Sequence, residues 1–297
     1  MNQKKPDSEE YESLKVAVVI PIYKSFEKLS SNEIQALIQI RTILIKRDIF
    51  FVYPSYVDPA KYVRLLHPAQ ATAVRLDDKY FGSQDSSNRM LLSYEVYWHF
   101  NKYDYMLVHH IDAFVFSDQL NYWCSQGFDY VGAPWFEGNH NPRYPLKFKG
   151  VGNGGFSLRK ISSFLKITKN RPLIRFHRTL YKLYDFLDGQ NHTLLRKVLG
   201  VNFLMRHMKP YVGFEDEFWG LIAPRFYKWF KVAQPEIALK FSFEVLPKEM
   251  IKLNNDKLPF GCHAWEKFDP AFWEPYIHST LQDHVNFGDR SKEQEVI

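Results

Sequence analysis

The sequence predicts an α/β fold organised around a parallel-type sheet, and three observations carry that expectation. Residues 16–22, VAVVIPI, form a continuous apolar, β-branched run interrupted only by Pro21, the pattern of a buried parallel-type strand emerging into a loop. Ser30 followed by Glu33 makes a capping-box signature, after which Ile34, Leu37, Ile38, Leu44 and Ile45 recur at roughly helical spacing. Further strand-like and helix-like stretches then alternate, as they do in strand–helix–strand units.

Taken in order, IFFVYP (49–54) and TAVRL (72–76) read as the second and third strands, and Ser87 to Phe100 as a helix. YMLVHHIDAFVF (105–116) reads as one long fourth strand. After VGNGGFSLRK (151–160), Leu158, Arg159 and Lys160 are expected to begin a helix. The organisation expected is one domain over 1–278, carrying a basic helical insertion at 159–209, and a polar tail at 279–297 that frays. In sheets of this kind ligands bind beyond the carboxyl ends of the strands, so the loops near Ile20, Pro54, Leu76–Asp78 and Asp112 should converge on one cleft. The absence of a Walker-type P-loop and of G-x-G-x-x-G after the first strand argues against a P-loop NTPase or a Rossmann dehydrogenase.

The hydrophobic share of 45% and charged share of 24% are those of an ordinary globular protein. Aromatic residues reach 17%, enough to fill a core and still line a cleft with rings suited to sugar faces or a base. Cys124 and Cys262 are too few for a disulfide framework and suggest a reducing compartment. The polar start, MNQKKPDSEEYESLK, has no apolar stretch of a signal peptide, and no run approaches the ~20 apolar residues of a membrane span. The expected location is therefore the cytoplasm, with room for peripheral membrane contact. The net charge of +6 is concentrated: twelve Lys/Arg lie between Arg159 and Lys209 against Asp185 and Asp188. Interleaved with aromatics and leucines, such a segment suits an anionic membrane surface. No zinc-finger spacing or RNA-binding fingerprint accompanies it, so nucleic acid is not expected as a partner.

Four segments carry candidate chemistry. Asp112 ends a hydrophobic strand, where its carboxylate could hold a hard divalent cation such as Mg²⁺ or Mn²⁺ beside a diphosphate; strand-end acids also serve as plain caps. Asn153-Gly154-Gly155 allows a turn with φ > 0 and a close approach of backbone to ligand. In GFEDEFWG (213–220), the clustered Glu215, Asp216 and Glu217 could supply a general base or simply favour a helix start. In LPFGCHAWEK (258–267), His263 stands among apolar neighbours and could complete a metal site or contact a phosphate.

The ordered set IDAFVF (111–116), WC (123–124), FDYVGAPW (128–135), VGNGGFSLRK (151–160), EDEFWG (215–220) and LPFGCHAWEK (258–267) resembles an uncharacterised bacterial family of GT-A-type glycosyltransferases, from about Val16 to Trp265. The resemblance implies a GT-A-type, Rossmann-like mixed sheet flanked by helices. It implies inverting transfer of a sugar from a nucleotide-sugar donor to a hydroxyl of a glycan or lipid-linked acceptor, in surface polysaccharide or lipopolysaccharide assembly. Carried onto this chain, it makes Asp112 the metal-binding member of a D-x-D-type motif, with His110 standing where the first acid would be. His263 becomes a ligand of the metal or diphosphate, with Mn²⁺ or Mg²⁺ as the cation. Asp216 becomes the base, Glu215 an acceptor contact, and Gly154 and Gly155 the turn facing donor and acceptor. Pro21, Ile22 and Tyr23 match the loop that holds the nucleoside, and Arg89 and Arg159 are candidate phosphate contacts by position.

Two rival readings follow from the same residues. A carbohydrate-binding protein on a degenerate GT-A fold predicts no turnover and no effect of Asp216→Asn. A sugar nucleotidyltransferase would carry a glycine-rich basic loop after the first strand, where this chain has PIYKSFEK (21–28).

Overall fold

A computed structural model describes residues 14–169 and 214–277. The elements run β1 (Val16–Pro21), α1 (Ser31–Ile43), β2 (Asp48–Tyr53), α2 (Ala60–Leu65), β3 (Ala71–Arg75), α3 (Gln84–Leu91), α4 (Tyr94–His99), β4 (Tyr105–His109) and β5 (Ala113–Val115). They continue through α5 (Leu120–Ser125), β6 (Tyr130–Val131), β7 (Ala133–Phe136), β8 (Phe148–Gly152), β9 (Phe156–Lys160) and α6 (Ile161–Lys169). Beyond the undescribed stretch come α7 (Glu215–Glu217), which runs through a π-helical turn at Phe218–Ile222 into α8 (Ala223–Phe226), then α9 (Pro235–Ala238), β10 (Ser242–Phe243), α10 (Pro247–Leu253) and β11 (Gly261–His263).

The main sheet has the order β3-β2-β1-β4-β9-β6. β1 pairs in parallel with β2 and β4, and β2 with β3. All six β1 residues are buried, which is why its sequence shows no alternation. β9 enters antiparallel to β4, so the sheet is mixed and helices flank it, as the family resemblance implied. α1 begins with the expected capping box: Ser30 Oγ accepts from the Glu33 amide, and the Glu33 carboxylate accepts from the Ser30 amide. Leu37, Ile40 and Leu44 carry its buried face, whereas Ile45 is exposed. The largest fully buried side chains include Trp123, Trp219 and Trp273, so much of the aromatic excess fills the core. Cys124 and Cys262 are buried free thiols. Among the described residues no helix is long and apolar enough to cross a membrane.

Three expectations are corrected. The helix expected over 87–100 is two helices, because the Ser93 hydroxyl accepts from the Glu95 amide and starts α4 afresh. Arg159 and Lys160 do not begin a helix; they complete β9, with Arg159 opposite Met106 of β4. Of the proposed 159–209 insertion, α6 is seen, and residues 170–209 and the 279–297 tail lie outside the described residues. The single strand expected over 105–116 breaks at His110–Asp112, where the Ala113 amide closes a turn on the His110 carbonyl. β4 stays in the main sheet, while β5 joins a second sheet of order β10-β11-β5. That corner positions the site.

Candidate active site

The corner lifts Asp112 out at the carboxyl end of β4. β11 pairs antiparallel with β5, His263 opposite Ala113, and the Ala264 amide donates to the Asp112 carbonyl at 3.0 Å. Two segments far apart in the chain are thus held side by side by a backbone ladder. His110, Asp112 and His263 each offer one donor atom, all within 4.8 Å of one another. His263 Nε2 lies 3.4 Å from Asp112 Oδ1, and its Nδ1 lies 3.1 Å from Glu244 Oε1. Glu244 is buried and also accepts from Trp135 Nε1 at 3.4 Å. Gly155 makes the space for this ring, since a Cβ there would stand 2.0 Å from His263 Nε2.

The electrostatics follow from this packing. Burial alone would lower the His263 pKa, but the Asp112 and Glu244 carboxylates outweigh it and hold the imidazole up at about 10. Burial works against the charge on Asp112 too, yet His263 keeps its carboxyl far below the usual range. Burial, followed by the charge of His263, pushes His110 down to about 4, so its imidazole is neutral at neutral pH. His110 Nε2 is buried with no hydrogen-bond partner among the described residues. Two imidazoles, one of them with an unpartnered nitrogen, and a carboxylate fit a divalent cation, whose charge would take the place of the proton on His263.

Opposite stands the start of α7. Its first two residues have separate duties. Glu215 turns inward, its two oxygens each accepting from Arg159 at 2.9 Å. Arg159 is fully buried and also donates to Tyr97 Oη and Ser157 Oγ. Burial leaves the Glu215 carboxyl above its ordinary value even against the pull of Arg159. Burial likewise opposes charge on Arg159, whose guanidinium nonetheless stays above its ordinary value because Glu215 faces it. Asp216 faces the cleft. Its Oδ2 accepts from the Gly154 amide at 3.0 Å and its Oδ1 from the Glu217 amide at 2.9 Å. Burial, then the nearby Glu244 charge, raises the Asp216 pKa above the carboxylate norm, more than these amides lower it. The glycine turn works differently from expectation. Asn153, not a glycine, takes the positive φ of 76°, and its Oδ1 accepts from the Gly155 and Phe156 amides. Gly154 is needed for room, because a Cβ would sit 2.1 Å from Glu215 Oε1.

A cleft of about 340 Å³ has Asp112, His110, His263, Glu244, Gly154, Gly155 and Asp216 on its walls, with Trp135, His140, Phe214 and Phe268 as rings. A second hollow of about 410 Å³ adjoins it across Asp112, Ala264 and Lys267, and contains Lys24 and Lys28. That hollow is of mixed charge, since Glu27, Glu33 and Glu266 line it as well and Lys24 is paired with Glu33 at 2.7 Å.

The structure gathers Asp112, His263, Gly154, Gly155, Glu215 and Asp216 around this cleft. Tyr23 is half-exposed close by; burial and then the Asp112 and Glu33 charges raise its phenol. Three expectations change. Pro21 and Ile22 are buried at the end of β1 and line neither hollow, and the Ile22 amide donates to Val52 O. Arg159 lies sealed against Glu215, away from any phosphate. Arg89 is exposed, and α3 turns Gln84, Ser87, Asn88 and Leu91 toward the cleft instead. Sequence reasoning treated His110 as a departure and missed Glu244 and Asn88, which accepts from the Glu215 amide at 3.1 Å. The signal for Glu244 was a lone acid inside the apolar run FSFEVL.

The family described as "Protein of unknown function (DUF5672)" matches residues 70–263. No curated protein matches the chain. Among solved structures, an active-site mutant of LgtC is 11% identical, with 90% of this chain and 95% of that one covered, at a TM-score of 0.46. The apo-form glycosyltransferase GlyE of Streptococcus pneumoniae TIGR4 is 14% identical at a TM-score of 0.43. The match takes in 92% of this chain but only 64% of GlyE, so the chain spans less than two thirds of that protein. Mouse xyloside xylosyltransferase 1 is 9% identical, with 84% of this chain and 97% of that one covered, at a TM-score of 0.43.

Proposed function

The chain belongs to the family described as "Protein of unknown function (DUF5672)", and we propose that it is a cation-assisted glycosyltransferase. It moves a sugar from a nucleotide-sugar donor to a hydroxyl of a glycan or lipid-linked acceptor, with inversion. One observation carries this reading: a carboxylate of raised basicity, Asp216, and the His110–Asp112–His263 donor group share one cleft. A base for a hydroxyl and a holder for a leaving diphosphate are the two requirements of such a transfer.

In this reading the donor lies across Asp112, its diphosphate toward Lys24, Lys28 and Lys267 and its sugar toward Asp216. Tyr23, half-exposed just after β1, is the ring this reading assigns to the nucleoside. The Gly154 amide holds Asp216 Oδ2 in place. Asp216 takes the proton of the acceptor hydroxyl, whose oxygen bonds to the anomeric carbon as the carbon–oxygen bond to the diphosphate breaks and its electron pair leaves with the phosphate. Asp112, His263 and His110 would hold a divalent ion, which when bound would supply positive charge for the leaving group. A surface-glycan acceptor, a cytoplasmic setting and contact of the basic 159–209 segment with an anionic membrane belong to the same proposal.

The test is a nucleotide-release screen over UDP-, GDP-, CMP- and dTDP-sugars, with and without Mn²⁺, run beside Asp216→Asn. Release by the native chain that needs the cation and disappears in the variant is expected. Donor binding with no release across plausible acceptors, or an unaffected Asp216→Asn, overturns the reading.

A further inference from the structure

We infer that the corner is a carboxylate–histidine–metal site with two nitrogen donors, selecting Zn²⁺, Co²⁺ and Mn²⁺ over Mg²⁺, with Glu244 as the residue that positions His263. The inference deepens the proposed site by naming its ion class, and it stands on the donor set alone.

The donors come first. An all-oxygen D-x-D pair is hard and suits Mg²⁺, which prefers oxygen ligands and sheds water reluctantly. Here the first position is His110, and the third donor is His263, so two of three protein donors are imidazoles. Imidazole binding favours the later first-row ions over Mg²⁺. His110 has an electron pair to give: its Nε2 is buried and no hydrogen bond of the described residues uses it. Nitrogen left so in a polar cleft is a cost that a metal bond removes.

The spacing agrees. His263 Nε2 and Asp112 Oδ1 are 3.4 Å apart. Two donors each ~2.1 Å from a common ion and separated by that distance subtend about 108°, close to a tetrahedral angle.

The outer shell supplies the second observation. Glu244 is 6% exposed and sits 3.1 Å from His263 Nδ1, leaving Nε2 aimed at Asp112. A carboxylate behind a ligating histidine fixes the ring and raises its donor strength. Trp135 Nε1 donates to the other oxygen of Glu244, and Gly155 leaves the ring its space.

The experiment titrates the full chain with ZnCl₂, CoCl₂, MnCl₂ and MgCl₂ by calorimetry, without any donor. Zn²⁺ and Co²⁺ are expected to bind roughly a hundredfold or more tighter than Mg²⁺. His110→Asp restores an oxygen donor and is expected to narrow that ratio about tenfold. Glu244→Gln keeps a hydrogen-bonding oxygen but loses the charge, and is expected to weaken Co²⁺ binding about 10–100-fold at unchanged preference. Electron spin-echo modulation of Mn²⁺ bound to the unmutated chain should show coordinated imidazole nitrogen, which keeps the test valid if a variant misfolds. Mg²⁺ binding within tenfold of Co²⁺, a ratio unmoved by His110→Asp, or no nitrogen coupling each overturn the inference. Because no arm contains a donor, its failure leaves the transfer reading standing, and failed donor cleavage leaves the site standing.

Discussion

Arg159→Met isolates the pair that fixes the start of α7. In the native fold the guanidinium makes two 2.9 Å hydrogen bonds to the Glu215 carboxylate, and both side chains are almost wholly buried. Removing one partner of such a pair leaves an uncompensated buried charge and costs about 3–5 kcal/mol. At roughly 2 °C per kcal/mol for a chain of this size, Tm should fall by about 6–10 °C. The sign of the pH dependence follows from Glu215. Burial already holds its carboxyl above the ordinary value, and without Arg159 the folded pKa rises further above the unfolded one. A raised folded carboxyl pKa destabilises the fold above the unfolded pKa, and protonation relieves it as pH falls. The deficit should therefore be larger at about pH 8 than at about pH 5. Adding Glu215→Leu to Arg159→Met removes the stranded charge and should recover most of the loss. Urea unfolding followed by circular dichroism measures all three proteins. A single-variant cost below about 1 kcal/mol, or a double variant equal to the sum of its singles, refutes the reasoning.

Asp216→Asn should abolish donor cleavage, and its Tm relative to the native chain should rise with pH, because burial disfavours the native ionised carboxylate; thermal shift measurements across pH read that slope, on top of a constant cost for the amide that loses its acceptor oxygen. In native pH–rate profiles, activity should fall toward acid with a limb above the ordinary carboxylate pKa, since Asp216 must be ionised to take a proton and its pKa is raised; a limb at the ordinary value would remove Asp216 as the base. Gly155→Ala places a methyl 2.0 Å from His263 Nε2, so Co²⁺ affinity should drop at least tenfold, read by the Co²⁺ absorption spectrum.

The sequence displayed the fold where burial is two-sided and capping is local. β1 is legible because every residue in it is buried, and the start of α1 because Ser30 and Glu33 satisfy each other within one turn. The corner at His110–Asp112 was not legible. Both flanks are apolar, and what bends the chain there is the pairing of Phe114 with Cys262 from the far end of the sequence. Arg159 misled for a related reason. A basic residue after a glycine turn looks exposed until β9 pairs with β4 and seals it against Glu215. Asp216 and Glu215 looked like one acidic cluster, yet neighbours on a helix point about 100° apart. One faces the core and the other the cleft.

In the proposed site, His110 would keep a donor at a position where residue identity suggests one is lost. The spacing of two residues across the turn survives, as does a donor atom on the cleft side. Only the element changes, from oxygen to nitrogen. The proposed reaction imposes a further demand, because a base and a diphosphate holder both rich in carboxylates would repel the substrate they share. Asp216, Glu215, Glu217 and Glu244 line this cleft, and the hollow beyond Asp112 balances Lys24, Lys28 and Lys267 with Glu27, Glu33 and Glu266. Replacing the first acid of the pair by a neutral imidazole removes one negative charge from the boundary between them. The leaving group thus meets less repulsion in the cleft before any cation is counted, and the cation then bound is set by nitrogen affinity rather than by charge alone.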